Sequence, residues 1–120
     1  MSQGAGARDL FLKRSRDIEY VKQHGRRIST TLFNLMICRT DMDGSRVGIV
    51  VGKRFGGAVS RNRGKRLFRE LTRQLRGQLI SGHSLVVFPK RTSIAQPFAV
   101  LKEVWVATLQ RQRLLRMHED

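Results

Sequence analysis

Nine lysines and arginines fall between Gly52 and Gly77, against a single carboxylate, Glu70. Guanidinium groups offer planar pairs of N–H donors that fit phosphate oxygens and base edges, and ammonium groups act as point charges on phosphate. The chemistry open to such a segment is recognition of anions, not bond breaking. Its net charge of +8 is about half of the +15 carried by all 120 residues. The charges are also sorted. At about 100° per residue, Arg61, Asn62, Lys65, Arg66, Arg69, Arg73 and Arg76 fall within roughly 140° of arc. Leu67, Phe68, Leu71 and Leu75 take the opposite side. Arg61, Asn62 and Arg63 open this helix, where free backbone amides and the positive end of the dipole already favour anions. Lys65, Arg66 and Arg69 carry the ridge onward, and Lys53 and Arg54 in the preceding loop can fold over the same groove. A helix with one buried face and one cationic ridge suits a polyanion, and we read it as an RNA-binding helix.

Residues for catalysis or metal binding do not assemble in the sequence. His24, His83 and His118 match no metal-ligand spacing. No glycine-rich phosphate loop ends in Lys-Ser or Lys-Thr. Asp41 and Asp43 belong to a turn too short for a calcium loop, and no carboxylates are placed to converge as in two-metal nucleases. The expectation is no catalytic residue and no metal ligand in this chain. Tyr20 and Phe33 are candidate stacking platforms for unpaired bases. Core packing is the competing role for the phenylalanines, and Trp105 is read as core.

The elements that must hold these groups follow from the hydrophobic pattern. A first helix is expected from Ser15 as N-cap, with Asp17 and Glu19 in its first turn, Ile18 and Val21 on one face and Gly25 as its stop. Leu32 to Arg39 reads as a strand, with Phe33, Leu35 and Ile37 on one side and Leu32, Met36 and Cys38 on the other. Turn residues 41–45 lead to a second strand, 46–51, and the simplest pairing is an antiparallel hairpin. Gly52 to Ser60 is a loop, with Ser60 as N-cap of the basic helix. Residues 84–89 form a short buried strand. Pro97 opens a last helix at its first position, with Phe98, Leu101, Trp105 and Leu109 on its core face. The order is α-β-β-α-β-α, with room for an extra strand near Ile28. The fold class is α+β: one sheet of three to four strands packed with about three helices in a single domain, 1–120. Residues 1–7 read as a flexible lead-in.

Composition narrows the setting. The apolar content of 40% supports a folded chain with one core. The pI near 11.7 favours phosphate backbones as partners. Membranes are anionic too, but no apolar run approaches about 18 residues, and the N-terminus lacks the pattern of a secretory signal. Cys38 alone can form no internal disulfide, which suits the cytoplasm; it is read as a small buried filler. The readings open at this point include a structural RNA-binding protein of the ribosome and a DNA-binding regulator. A helix-turn-helix would need a second helix just before Arg61, where a strand and a glycine-rich loop are expected.

The run from Lys53 to Glu70, KRFGGAVSRNRGKRLFRE, closely resembles the signature of the bacterial ribonuclease P protein subunit. That signature is two basic residues, an aromatic or Val, Gly-Asn-Ala-Val, then Arg-Asn-Arg, Lys-Arg and Arg-Glu. Length, element order and charge agree over roughly residues 8–115. The resemblance implies a two-layer α/β sandwich with a left-handed β-α-β crossover, contrary to the usual hand. It implies a catalytic RNA as partner which, with magnesium ions, removes the 5′ leader of precursor tRNA; the protein holds no firmly bound cofactor. The protein's part is to contact the leader and improve metal binding and substrate discrimination, with no membrane and no obligate protein partner. Carried over by position, Lys53, Arg54, Arg61, Asn62, Arg63, Lys65, Arg66 and Arg69 meet the RNA subunit. Phe33, Ile18, Lys90 and Arg91 fall on a cleft for the single-stranded leader. Three positions depart from the pattern: Gly57 replaces an Asn, Ile18 an aromatic, and Gly64 an aliphatic on the buried face. A mid-helix Gly costs on the order of 1 kcal/mol, so either the first turn packs unusually close to the sheet or it is looser here.

Overall fold

The computed structural model describes residues 10–41 and 43–116. The lead-in 1–7, Met42 of the turn, His118 and the terminal Glu119 and Asp120 lie outside the described residues. The elements run α1 (Ser15–His24), β1 (Arg26–Ser29), β2 (Phe33–Arg39), β3 (Ser45–Ile49), α2 (Ala58–Gln74), β4 (His83–Pro89) and α3 (Phe98–Arg111). Single 3₁₀ turns precede α2 at Lys53–Phe55, follow it at Arg76–Gln78 and precede α3 at Arg91–Ala95.

The four strands lie in the order β1-β2-β4-β3. The expected hairpin between β2 and β3 does not form. Instead β4 enters between them, antiparallel to β2 (Leu35 opposite Val87) and parallel to β3 (Val47 opposite Leu85). The reason is burial. Leu85, Val86 and Val87 are fully buried on both sides of the strand, as a central strand requires, whereas β3 contributes Arg46 and Gly48 and takes the edge. α2 is thus the crossover helix of a β3-α2-β4 unit. The N-terminal segment covers the β3 edge: Val47 N donates to Leu10 O (2.8 Å) and Leu12 N donates to Val47 O (3.0 Å).

Alternation in the strands feeds two clusters. Phe33, Leu35, Ile37, Leu85 and Val87 meet Phe68, Leu71, Leu101, Trp105 and Leu109 of α2 and α3. Leu32 joins this cluster too, because it precedes β2 and escapes the strand's alternation. On the opposite face, Cys38 and Val86 meet Leu12 and Val21 of the α1 region, with Ile18, Met36, Val50 and Phe88 at the margin. Phe33, Phe68 and Trp105 form the centre of the main core, each pair edge-to-face at 5.3–5.7 Å between ring centroids. Such pairs contribute roughly 0.5–1.5 kcal/mol each beyond the area they bury.

Helix starts differ from expectation by a turn or less. Arg14 caps α1 and Gly57 caps α2, neither with a side-chain hydrogen bond, so Ser15 and Ser60 are the first and third helical residues, not caps. Pro97 stands just before α3, which begins at Phe98. With no side-chain cap, the first amides of α2 are offered outward.

Candidate nucleic-acid interface

α2 buries Gly64, Phe68, Leu71 and Thr72; Leu75, just past its end, is buried as well. Asn62, Arg63, Arg66, Arg69 and Arg73 are exposed on the far side, with Arg61 and Lys65 half-buried. Thr72, the polar member of the buried face, satisfies its hydroxyl on Phe68 O (2.7 Å). The underside therefore holds the helix against the sheet and leaves the cations no route inward.

Carboxylates barely touch this ridge. Among the described residues the ion pairs are Lys22–Glu19 at 3.3 Å and Arg73–Glu70 at 4.0 Å. Glu70 also accepts from Gln74 Nε2 (3.2 Å). The side chains of Lys53, Arg54, Asn62, Arg63, Lys65, Arg66 and Arg69 make no hydrogen bond or ion pair with other described residues. Their donors face solvent, ready for phosphate.

Arg61 behaves differently from its neighbours. Its Nη1 donates to Gly56 O (2.8 Å), and Arg91 Nη1 donates to the preceding carbonyl, Phe55 O (2.9 Å). Two cations thus tie down the loop in front of α2. Gly56 sits there at φ 146°, a conformation closed to most side chains. Phe55 is buried, and its ring occupies the space over Gly64, where a Cβ would stand 2.9 Å from Cζ. The mid-helix glycine thus marks a close approach, made by the preceding loop rather than by the sheet.

The expected leader cleft needs one correction. Phe33 is fully buried between Phe68 and Trp105 and cannot stack on a base. Its parity puts it on the core face with Leu35 and Ile37. The opposite face of the sheet, beside α1, presents half-buried Asn34, Met36 and Phe88 with Val50 and Ile18. Cross-strand register adds Arg27 beside Met36 and Ser29 beside Asn34. Alternation along β2 and β4 was the signal for Asn34, Met36 and Phe88. Asn34 keeps its Oδ1 without a hydrogen-bond partner. Lys90 Nζ donates to Thr30 O (2.7 Å), so it ties β4 to the start of β2 with two donors left. Tyr20 is exposed and stacks on His24, 4.2 Å between centroids.

No group of three or more His, Cys, Asp or Glu side chains converges among the described residues, and none of the described helices is long and apolar enough to cross a membrane. Only a 3₁₀ turn precedes α2, so the helix pair of a helix-turn-helix is not formed there.

The model of the family described as Ribonuclease P matches residues 7–113. The chain belongs to the ribonuclease P protein family. It is 32% identical over 96 residues to the ribonuclease P protein component of Syntrophus aciditrophicus, covering 79% of this chain and 81% of that one. Against the corresponding protein of Chloroflexus aurantiacus it is 36% identical over 106 residues, 87% of this chain and 78% of the other. The solved ribonuclease P protein of Thermotoga maritima superposes with a TM-score of 0.76 at 30% identity, covering 84% of this chain and 96% of that one. A Staphylococcus aureus ribonuclease P protein mutant gives 0.82 at 20% identity over 93% and 95%, a likeness of fold alone. Membership in the ribonuclease P family places the chain in tRNA processing, within a ribonucleoprotein.

Proposed function

We propose that this chain is the protein cofactor that binds the catalytic RNA of ribonuclease P through the α2 ridge. In this reading it also holds the 5′ leader of precursor tRNA on the open sheet face beside α1, in the cytoplasm. The observation that carries the proposal is the row Asn62, Arg63, Lys65, Arg66 and Arg69, projected from a buried underside with no partners among the described residues. Unpaired guanidiniums lose no ion pair when they meet phosphate, and releasing the RNA's counterions favours the complex.

On the sheet face, Phe88 and Met36 supply apolar surface for unstacked bases, and Arg27 and Lys90 supply charge for the backbone. The chemistry is assigned to the RNA with magnesium. Glu70, the one carboxylate on α2, accepts from Gln74 and stands 4.0 Å from Arg73. The protein's residues bind, orient and screen; no proton transfer is asked of them. Family membership across residues 7–113 sets aside the ribosomal alternative.

Reconstitution tests the proposal. With the catalytic RNA and precursor tRNA at low magnesium, adding the protein restores leader removal, and the protein alone cleaves nothing. Cleavage by the protein alone, or RNA activity indifferent to the protein, overturns it.

A further inference from the structure

At the C-terminal half of the ridge, the charged face of α2 meets a hollow in the protein. A cavity of about 240 Å³ opens between α2, the β3 edge and the N-terminal segment. Its walls include Val47, Ile49 and the ring of Phe11, and its rim carries Lys13, Arg69 and Arg73. Among the described residues no carboxylate lines it. The segment bearing Phe11 is fixed to β3 by the two backbone bonds at Val47, so the aromatic wall is built into the fold. The Arg73 guanidinium lies over the Phe11 ring, 5.7 Å from its centroid, and its pairing with Glu70 at 4.0 Å is loose. Arg69 has no side-chain partner at all among the described residues.

We propose that this hollow is a subsite for one unpaired nucleotide of the bound RNA, its base laid against Phe11 and its phosphate held by Arg69 and Lys13. The inference rests on the reading of α2 as the RNA-binding ridge and deepens it. A purely electrostatic ridge needs no aromatic wall beside it, and an apolar ligand gains nothing from three cations at the mouth. A nucleotide uses both, because every base has a π-face and carries an anionic link. Arg73 is suited to close over the base, since guanidinium planes stack on bases as they do on Phe. Arg69 and Arg73 stand one helical turn apart on the ridge, so a strand tracking the ridge passes the mouth of the cavity.

The test uses the full chain with Phe11→Trp as a local emission reporter, read against the wild-type protein to remove the signal of buried Trp105. The probes are a short single-stranded oligoribonucleotide, the same backbone without bases, and an RNA duplex. Quenching by the first alone is the expected result. Equal response to the abasic backbone shows a phosphate site only and overturns the proposal, as does equal response to duplex. Phe11→Leu, which keeps an apolar side chain in place, provides the second measurement. It weakens binding of the catalytic RNA about tenfold with an unchanged salt slope, measured well below its melting transition because Phe11 also packs against the main core; unaltered affinity overturns the subsite. Wild-type binding to the same RNA, measured alongside, carries the proposed function separately. If that fails, the ridge reading falls, whatever the oligonucleotides report at Phe11.

Discussion

The ring of Phe55 rests on the bare backbone of Gly64, with Cζ 2.9 Å from where a Cβ would be. Each residue explains the other: the glycine gives up helix propensity, and the ring fills the space over it. Gly64→Ala gains about 1 kcal/mol of propensity but forces a buried ring to move, and overpacking costs about 1–3 kcal/mol. The expected net effect is destabilisation of up to about 2 kcal/mol. With Phe55→Leu in place the same change becomes stabilising. Denaturant melts of the four-protein cycle measure this coupling, and additivity would show that ring and glycine are independent.

The ridge residues are not equivalent. Arg63 and Arg66 are exposed and without a partner among the described residues, while Arg61 is engaged with Gly56 O. Neutralising Arg63 and Arg66 to Gln flattens the log–log salt slope of RNA binding by about 0.7–0.9 for each lost phosphate contact, at unchanged melting temperature. Arg61→Gln lowers the melting temperature as well. An unchanged slope in the Arg63/Arg66 double variant would move the RNA contact off α2.

Phe33 and Phe88 separate core from cleft. Phe33→Ala removes the hub of the aromatic trio and costs about 3–5 kcal/mol of stability. Phe88→Ala and Met36→Ala lie at the margin of the smaller cluster and cost less. Their expected effect is weaker binding of precursor tRNA with binding of mature tRNA unaltered. Equal losses on both substrates would return the outer sheet face to a packing role.

The contrast between Phe33 and Phe88 shows how the sequence was informative and where it misled. Periodicity located the three helices and three of the four strands, with β1 foreseen only as room near Ile28, and the wheel of α2 placed Phe68 and Leu71 on the buried side and Arg66 and Arg69 on the exposed one. Phe33 already shared a parity with Leu35 and Ile37, so its burial was legible; the positional resemblance outweighed that signal. Strand order was harder. A hairpin is the shortest closure for β2 and β3, and only the doubly apolar run Leu85-Val86-Val87 hinted that β4 would enter between them. Pairings across a crossover depend on packing between distant segments, which local pattern does not encode. The Arg61 and Arg91 clamp was hidden for a related reason: backbone carbonyls as partners leave no mark in side-chain sequence.

That clamp supports a final prediction. Arg91 Nη1 reaches Phe55 O, 36 residues away in sequence, and Gly56 has no room for a Cβ beside the same guanidinium, which would lie 2.5 Å from it. The loop carrying Lys53 and Arg54 is therefore held from behind by a cation that need not touch RNA. A hydrogen bond from a charged donor contributes about 1.5–3 kcal/mol in favourable settings, and less here because Arg91 is exposed. Arg91→Gln is expected to raise hydrogen exchange at the amides of Phe55 and Gly56, which close the 3₁₀ turn onto Gly52 O and Lys53 O, and to leave the amides of β4 protected. RNA affinity falls in step, because Lys53 and Arg54 must then be ordered on binding. Arg91→Lys keeps the charge on a shorter side chain and does not rescue protection. If protection at Phe55 and Gly56 is unaltered in Arg91→Gln, the loop is ordered by Phe55 burial alone, and any loss of affinity belongs to a direct contact from Arg91.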